Sequence, residues 1–307
     1  MGDQLVQPTG RQYSDSAIVT QGLSKRFGER LAVDNLNLVV QPGEIFGLLG
    51  PNGAGKTTTI AMLLGLLRPS AGQAWLLGHN IQTQLSQALA EVGALIESAA
   101  FYPYLSARDN LRVLARGDGL PEKRVDQALE LVELRSRAND RFQTLSQGMR
   151  QRLALAAALL HNPRLVLLDE PSNGLDPAGQ QAIRALIRSM AADGRTMLVS
   201  GHQLHEIEQL CTRVAIMKQG RIIAQGHVAE LLSGRVFVRV VGNPAHAEAL
   251  LRRADWVREV QPFEQGLLIE TQPERIAEIS TLLSAQGFAL AEMRPQSLEE
   301  VFLRLTQ

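Results

Sequence analysis

The sequence predicts an α/β fold, with antiparallel strands at its front and a small α+β unit at its back. Three observations predict it. Short apolar runs of buried-strand type, Glu44–Leu49, Leu165–Leu168 and Thr196–Ser200, alternate with stretches of helical period. A glycine-rich loop, Gly50–Gly55, stands between the first of these runs and a helix. Near Ser233-Gly234 the character shifts to strand, helix, strand, strand, helix, strand and a final helix, the order of a ferredoxin-like unit.

The elements follow in order. Met1–Ser16 is polar and lacks the apolar stretch of a signal peptide, so it reads as a loose tail. Ala17–Val40 alternates, with Gly28 at a turn, and predicts early antiparallel strands. Thr58–Leu64 reads as a helix and Gln73–Leu77 as a strand. Leu105–Leu134 reads as helices broken by Gly117-Asp118-Gly119-Leu120-Pro121. Gln147–Leu160 is a strong helix with Leu153, Ala157 and Leu160 on one face. Helix, strand, helix and strand then alternate to about Gln225. In the tail unit, helices are expected over Ala245–Ala254 and Glu274–Ala285 and a strand over Phe288–Met293, with Ser297 and Glu300 forming a capping box. The expected domains are the tail 1–16, an α/β domain 17–232 and an α+β accessory domain 233–307.

Bulk composition narrows the function classes. Of 307 residues, 45% are hydrophobic and 20% charged, as in ordinary soluble proteins. Lys+Arg and Asp+Glu both number 31, so the chain lacks the basic excess of a nucleic-acid binder, and no such partner is expected. The single cysteine, Cys211, excludes an intrachain disulfide and fits a reducing compartment. Its neighbours Leu210, Val214 and Ile216 place it in packing. No apolar run approaches the ~20 residues that span a bilayer.

The chemistry starts at Gly50-Pro51-Asn52-Gly53-Ala54-Gly55-Lys56-Thr57, which fits G-x-x-x-x-G-K-[ST]. Gly50, Gly53 and Gly55 let backbone N–H groups curl around phosphate oxygens, and the helix start adds its positive end. Lys56 reaches the β- and γ-phosphates, and the Thr57 hydroxyl can ligate Mg²⁺. Asp169-Glu170 ends the Leu165–Leu168 strand, at the sheet edge where ligands bind. Phosphoryl transfer needs a carboxylate for Mg²⁺ and a group that handles water. Asp169 suits the first task and Glu170 the second, as general base. Leu145-Ser146-Gln147-Gly148-Met149 opens the next helix. Ser146 and Gly148 are either an anion site, serving the ATP of another subunit, or plain helix capping.

Together these motifs, in this order, resemble the nucleotide-binding subunit of an ABC transporter, from about Ala17 to Leu232. Gly50–Thr57 is similar to Walker A and Leu165–Glu170 to Walker B. Leu145–Met149 resembles the signature LSGGQ, with Gln147 and Met149 as departures. Gly174-Leu175-Asp176 resembles the D-loop, and His202 the switch histidine. The resemblance implies a P-loop ATPase core with an antiparallel β subdomain and a helical subdomain, ATP and Mg²⁺ as ligands, and a nucleotide contact at Asp176. It also implies that Phe27 stacks on adenine, with core packing as its other reading. Thr58 would contact the α-phosphate, and His202 the γ-phosphate and the attacking water.

The Q-loop position carries Glu97, in Leu95-Ile96-Glu97-Ser98, where the family has glutamine. A carboxylate ligates Mg²⁺ but cannot donate a hydrogen bond. Glu97, the Phe101-Tyr102-Pro103 stretch and the C-terminal unit resemble the bacitracin-export-type branch of ABC-2 exporters. The implied protein is a peripheral ATPase on the cytoplasmic face of the membrane. It works as a head-to-tail homodimer or heterodimer beneath a separate permease. Ala99–Leu111, with Phe101, Tyr102 and Tyr104, is either the permease docking surface or internal packing. The rival readings are a soluble ABC ATPase acting on DNA or ribosomes and an inactive binding module; intact Lys56, Asp169 and Glu170 oppose the latter.

Overall fold

The computed structural model describes residues 15–96 and 100–306. The polar tail therefore lies outside the described residues, apart from Asp15 and Ser16, and so does Glu97. Two compact units divide between Gln225 and Gly226.

The first unit begins with an antiparallel sheet. β1 (Ile18–Phe27) and β2 (Arg30–Val40) pair as a hairpin whose turn holds Gly28 at φ 56°. β4 (Ala71–Leu76) joins the other side of β1, and the two-residue β5 (His79–Asn80) closes the order β2-β1-β4-β5. The second sheet is built on β3 (Ile45–Leu49), every residue of which is buried. β3 runs parallel to β8 (Thr196–Gly201) on one side and β9 (Arg213–Lys218) on the other. β7 (Leu165–Leu168) runs parallel to β8 and to β6 (Val92–Leu95). With β10 (Arg221–His227) the order is β10-β9-β3-β8-β7-β6.

Parallel neighbours need crossovers, and helices supply them. α1 (Lys56–Leu63) follows β3, and α2 (Leu85–Leu89) precedes β6. α3 (Ala107–Gly117), α4 (Glu122–Leu131) and α5 (Gln147–Leu159) form the helical segment between β6 and β7. α6 (Pro177–Ala192) links β7 to β8, and α7 (Leu204–Leu210) links β8 to β9. One apolar core joins the two sheets, with Ile18 and Leu38 in the same cluster as Phe46, Leu167 and Leu198. This order places the carboxyl ends of β3, β7 and β8 side by side, with β8 in the middle.

Two local features depart from the sequence pattern. β6 was not expected: it is only four residues long and carries Gly93, a residue that weakens a strand. Gly93 instead permits close packing, since a Cβ there would lie 2.1 Å from the Ala158 carbonyl oxygen. The last expected strand of the α/β run is two strands, β9 and β10, separated by a turn with Gln219 and Gly220 at positive φ.

The second unit contains α8 (Val228–Leu232), β11 (Arg235–Val241), α9 (Pro244–Leu251), β12 (Val257–Phe263), β13 (Gly266–Thr271), α10 (Ile276–Ala285), β14 (Ala289–Pro295) and α11 (Leu298–Thr306). Its antiparallel sheet has the order β12-β13-β11-β14, the ferredoxin-like arrangement expected from the element order. The capping box also forms: Glu300 N donates to Ser297 Oγ at 3.3 Å, and Ser297 N to Glu300 Oε2 at 2.8 Å.

Candidate active site

The phosphate loop leaves the carboxyl end of β3 and enters α1 at Gly55. Gly55 has φ 109°, and a Cβ there would lie 2.6 Å from the Ala32 carbonyl oxygen, so only glycine fits without a backbone shift. Lys56 is 4% exposed despite its charge. Its ammonium donates to the Gly50 carbonyl at 2.8 Å and the Pro51 carbonyl at 3.3 Å. It also faces Glu170 Oε1 at 3.3 Å. These contacts aim the ammonium across the mouth of the loop.

Next on the helix, Thr57 Oγ1 donates to Asp169 Oδ2 at 2.6 Å. Ser200, at the end of β8, donates its hydroxyl to Asp169 Oδ1 and accepts the Glu170 N–H at 3.0 Å. A single hydroxyl on the middle strand thus holds the Asp169 carboxylate and the Glu170 backbone. Glu170 itself turns with φ 47°, a left-handed conformation that non-glycine residues adopt at a cost. That turn carries its side chain toward Lys56 and toward His202, whose Nδ1 lies 2.9 Å from Glu170 Oε2.

Beside this cluster is an open cavity of about 350 Å³ lined by Phe27, Arg30, Ala32, Asn52, Gly53, Gly55, Lys56, Thr57, Thr58 and Glu170. Phe27 is 47% exposed, which removes core packing as its role. Lys25 Nζ stacks 5.1 Å from its ring centroid.

Most of the expected site residues therefore meet in one place. Phe27, Asn52, Gly53, Gly55, Lys56, Thr57, Thr58 and Glu170 line the cavity, Gly50 accepts from Lys56, and Asp169 and His202 contact the lining residues. Ser146, Gly148 and Asp176 do not line it. Ser146 Oγ accepts from Met149 N at 3.3 Å, and Asp176 Oδ1 accepts from Gly179 N at 2.9 Å. Both residues cap helices, α5 and α6 respectively.

Two participants escaped the sequence reading. Arg30 lines the cavity next to Gly53 and has no ion-pair partner among the described residues. Its position three residues after Phe27, across a tight turn, was the available signal. Ser200 had no such signal, because its role depends on the order of strands in the sheet.

The aromatic stretch of the helical segment divides. Phe101 packs on Phe142 with ring centroids 5.2 Å apart, whereas Tyr102 and Tyr104 are 60% and 77% exposed. Asn110, buried on α3, accepts from Tyr102 N at 2.7 Å and donates to the Tyr102 and Ser106 carbonyls at 3.1 and 3.0 Å.

A phosphate loop facing two carboxylates across a parallel sheet edge is the arrangement of a nucleoside-triphosphate-hydrolysing α/β protein. The ABC transporter family pattern matches residues 33–173. The bacitracin transport ATP-binding protein BcrA of Bacillus licheniformis is 44% identical over 295 residues, 94% of this chain and 96% of that protein. The Nod factor export ATP-binding protein I of Cupriavidus metallidurans is 38% identical over 290 residues, 93% of this chain and 96% of the relative. Among solved structures, cbiO1 of Clostridium perfringens, part of the ABC transporter complex cbiONQ, is 28% identical with a TM-score of 0.66, covering 71% of this chain and 90% of its own. A dimeric ATP-binding cassette in a post-hydrolysis state, bound to ADP and Pi, is 25% identical with a TM-score of 0.61, covering 69% of this chain and 98% of its own. The chain belongs to the ABC transporter family, as an ATP-binding subunit, and is an ATPase.

Proposed function

We propose that this subunit drives export through a separate permease, working as a head-to-tail pair on the cytoplasmic face of the membrane. The observation that carries the reading is the cluster at one sheet edge: Glu170 lies 3.3 Å from Lys56 and 2.9 Å from His202, and Thr57 bonds Asp169. Export is supported by the relatives, which serve bacitracin transport and Nod factor export. Pairing is supported by the dimeric cassette bound to ADP and Pi. A soluble ABC ATPase acting on DNA or ribosomes has no comparable support.

In this mechanism Phe27 stacks on the adenine, which contributes on the order of 1–3 kcal/mol. The loop amides and Lys56 hold the β- and γ-phosphates. Glu170 Oε1, released when the γ-phosphate takes Lys56, accepts the proton of the attacking water, and His202, beside Oε2, orients that water and the γ-phosphate. The donors on Thr57 and Asp169 are hard oxygens 2.6 Å apart, a pair that suits Mg²⁺ completed by phosphate and water. When bound, Mg²⁺ neutralises charge that develops on the phosphate oxygens. Glu97 is assigned to the same ion. Thr58 and Asn52 contact the phosphates from their places in the cavity lining.

Ser146 and Gly148 present the start of α5 to the ATP of the second copy, and Asp176 approaches the same seam. Each charge-assisted hydrogen bond across it contributes about 1.5–3 kcal/mol. Tyr102, whose backbone Asn110 holds, and the exposed Tyr104 form the permease docking patch. The accessory domain, 233–307, carries no catalytic group in this scheme. The test is Ser146→Arg, which should abolish ATP-dependent pairing in sedimentation while leaving ATP binding to the single chain in place. Unchanged ATPase activity in this variant would remove the shared-site reading.

A further inference from the structure

Gln147 stands where the family signature has glycine, and the shared-site mechanism gives it nothing to do. It is exposed, it is the first residue of α5, and it is not the helix cap, which is Ser146. Its amide nitrogen nevertheless has a definite place. A Cβ on Gly174, which has φ 74°, would lie 2.7 Å from Gln147 Nε2. The Gln147 side chain therefore rests on the bare backbone of Gly174, in the loop that follows Glu170. One turn along the same helix face, Gln151 Nε2 donates to the Pro171 carbonyl at 2.7 Å. Pro171 is the residue next to Glu170.

We propose that Gln147 and Gln151 are positioning residues that couple the signature surface of a chain to its own Glu170. The proposal rests on the shared-site reading above. Two glutamines on one face of α5 clasp both ends of Pro171–Gly174. From the opposite side, Ser172 donates to Glu206 Oε2 at 2.6 Å, and Glu206 lies on α7, the helix that begins two residues after His202. The short loop is thus held between the helix that meets the second copy's ATP and the helix that follows the switch histidine. Glu170 has little freedom to absorb a displacement, because its N–H is tied to Ser200 and its backbone is in the left-handed region.

The consequence is cooperative. ATP of the second copy, seated on Ser146 and Gly148, fixes the start of α5. The clasp then fixes the loop and aligns Glu170 on the chain's own ATP. Glycine at position 147 has no side chain to lay on Gly174, so this half of the clasp depends on the departure from LSGGQ.

The experiment compares Gln151→Met, which keeps length and packing but removes the donor, with Gln147→Gly, which restores the family residue. In the full chain, each should lower kcat roughly 10-fold or more, as expected for misplaced catalytic groups. Each should also lower the Hill coefficient for ATP toward one, from a value bounded by the number of sites. ATP affinity of the dilute, unpaired chain should stay within about twofold, since neither residue touches the phosphate loop. Unmodified kcat and Hill coefficient in both variants would overturn the proposal, as would a loss of ATP affinity parallel to the loss of kcat. A Hill coefficient of one in the unaltered chain would also overturn it. Glu170→Gln in the same assay separates the two readings. If it stalls hydrolysis while the glutamine variants turn over normally, only the coupling fails; if it too turns over normally, the active-site reading fails and the coupling falls with it.

Discussion

Lys56 Nζ and Glu170 Oε1 face each other at 3.3 Å across the mouth of the phosphate loop. In the proposed mechanism the γ-phosphate and the general base therefore share one ammonium. When phosphate takes Lys56, Glu170 keeps His202 at 2.9 Å and its Oε1 becomes free for water. Glu170→Gln removes the base but leaves every phosphate donor in place. It should slow hydrolysis by roughly 10²–10⁴-fold and trap the ATP-bound pair. ATP affinity should be unchanged or tighter, because the competing charge on Lys56 is gone. Single-turnover hydrolysis and equilibrium ATP binding measure the two effects separately, and near-normal turnover would remove Glu170 from the base role.

Arg30 sets a second expectation. Its guanidinium lines the nucleotide cavity between Phe27 and Gly53, with no acidic partner among the described residues. A free cation there should favour polyphosphate over nucleoside. Arg30→Ala should weaken ATP and ADP binding by roughly 3- to 10-fold, the scale of a solvent-screened charge contact. Adenosine binding should be unaffected. Arg30→Lys should recover part of the loss, and titration at raised salt should shrink the difference between the variants. Equal losses for adenosine and ATP would place Arg30 in the fold rather than in phosphate recognition.

The contrast between Lys56 and Arg30 shows what the sequence made legible. Lys56, Thr57, Asp169 and Glu170 were readable as candidates because their pattern is written in local spacing, glycines before a helix or carboxylates after an apolar strand, and the structure brings them together. The ferredoxin-like unit was readable for the same reason, since its order follows from successive short elements. Ser200 was not, because its grip on the Asp169 carboxylate and the Glu170 N–H exists only once β8 is placed between β3 and β7. β6 was not legible because it is four residues long and its Gly93 serves a close contact with Ala158, 65 residues away in the chain. The aromatic stretch stayed open between docking and packing until burial split it, with Phe101 inside and Tyr102 and Tyr104 outside.

Acid should loosen the helical segment before the sheet. The Ser106 hydroxyl and Arg112 hold the Asp109 carboxyl below its ordinary value of 3.8. Arg108, at 2.5 Å, does the same for Asp126. A carboxyl whose folded value is lowered adds stability that is fully present above the ordinary value and is lost as pH falls through the lowered one. Asp126→Asn should therefore melt at a lower temperature than the unaltered chain near neutral pH. The gap should close as pH falls below about 3.8. A gap that persists unchanged at low pH would show that the carboxylate charge is not what stabilises the α3–α4 pair.

Gly47 packs β3, the strand that carries the phosphate loop, against α7. A Cβ at Gly47 on β3 would lie 2.6 Å from Ile207 Cγ2 on α7, 2.9 Å from Val214 Cγ1 and 3.1 Å from Cys211 Sγ. All three neighbours are buried, so none can swing away into solvent. Gly47→Ala should therefore destabilise the chain by about 1–3 kcal/mol, the usual cost of overpacking. The strain should fall on α7, because β3 is fixed by parallel ladders on both sides. Cys211 reports the displacement directly. Burial pushes its thiol well above the ordinary range, so the native chain should resist thiol alkylation. Gly47→Ala should accelerate that labelling under native conditions, and removing the nearest obstacle should offset part of the added cost. The cost of Gly47→Ala should thus be smaller on an Ile207→Ala background than in the unaltered chain, a non-additivity read from the four melting curves of a double-mutant cycle. Strictly additive losses with unchanged labelling would mean that β3 yields instead, and ATP affinity at the loop it carries should then fall with stability.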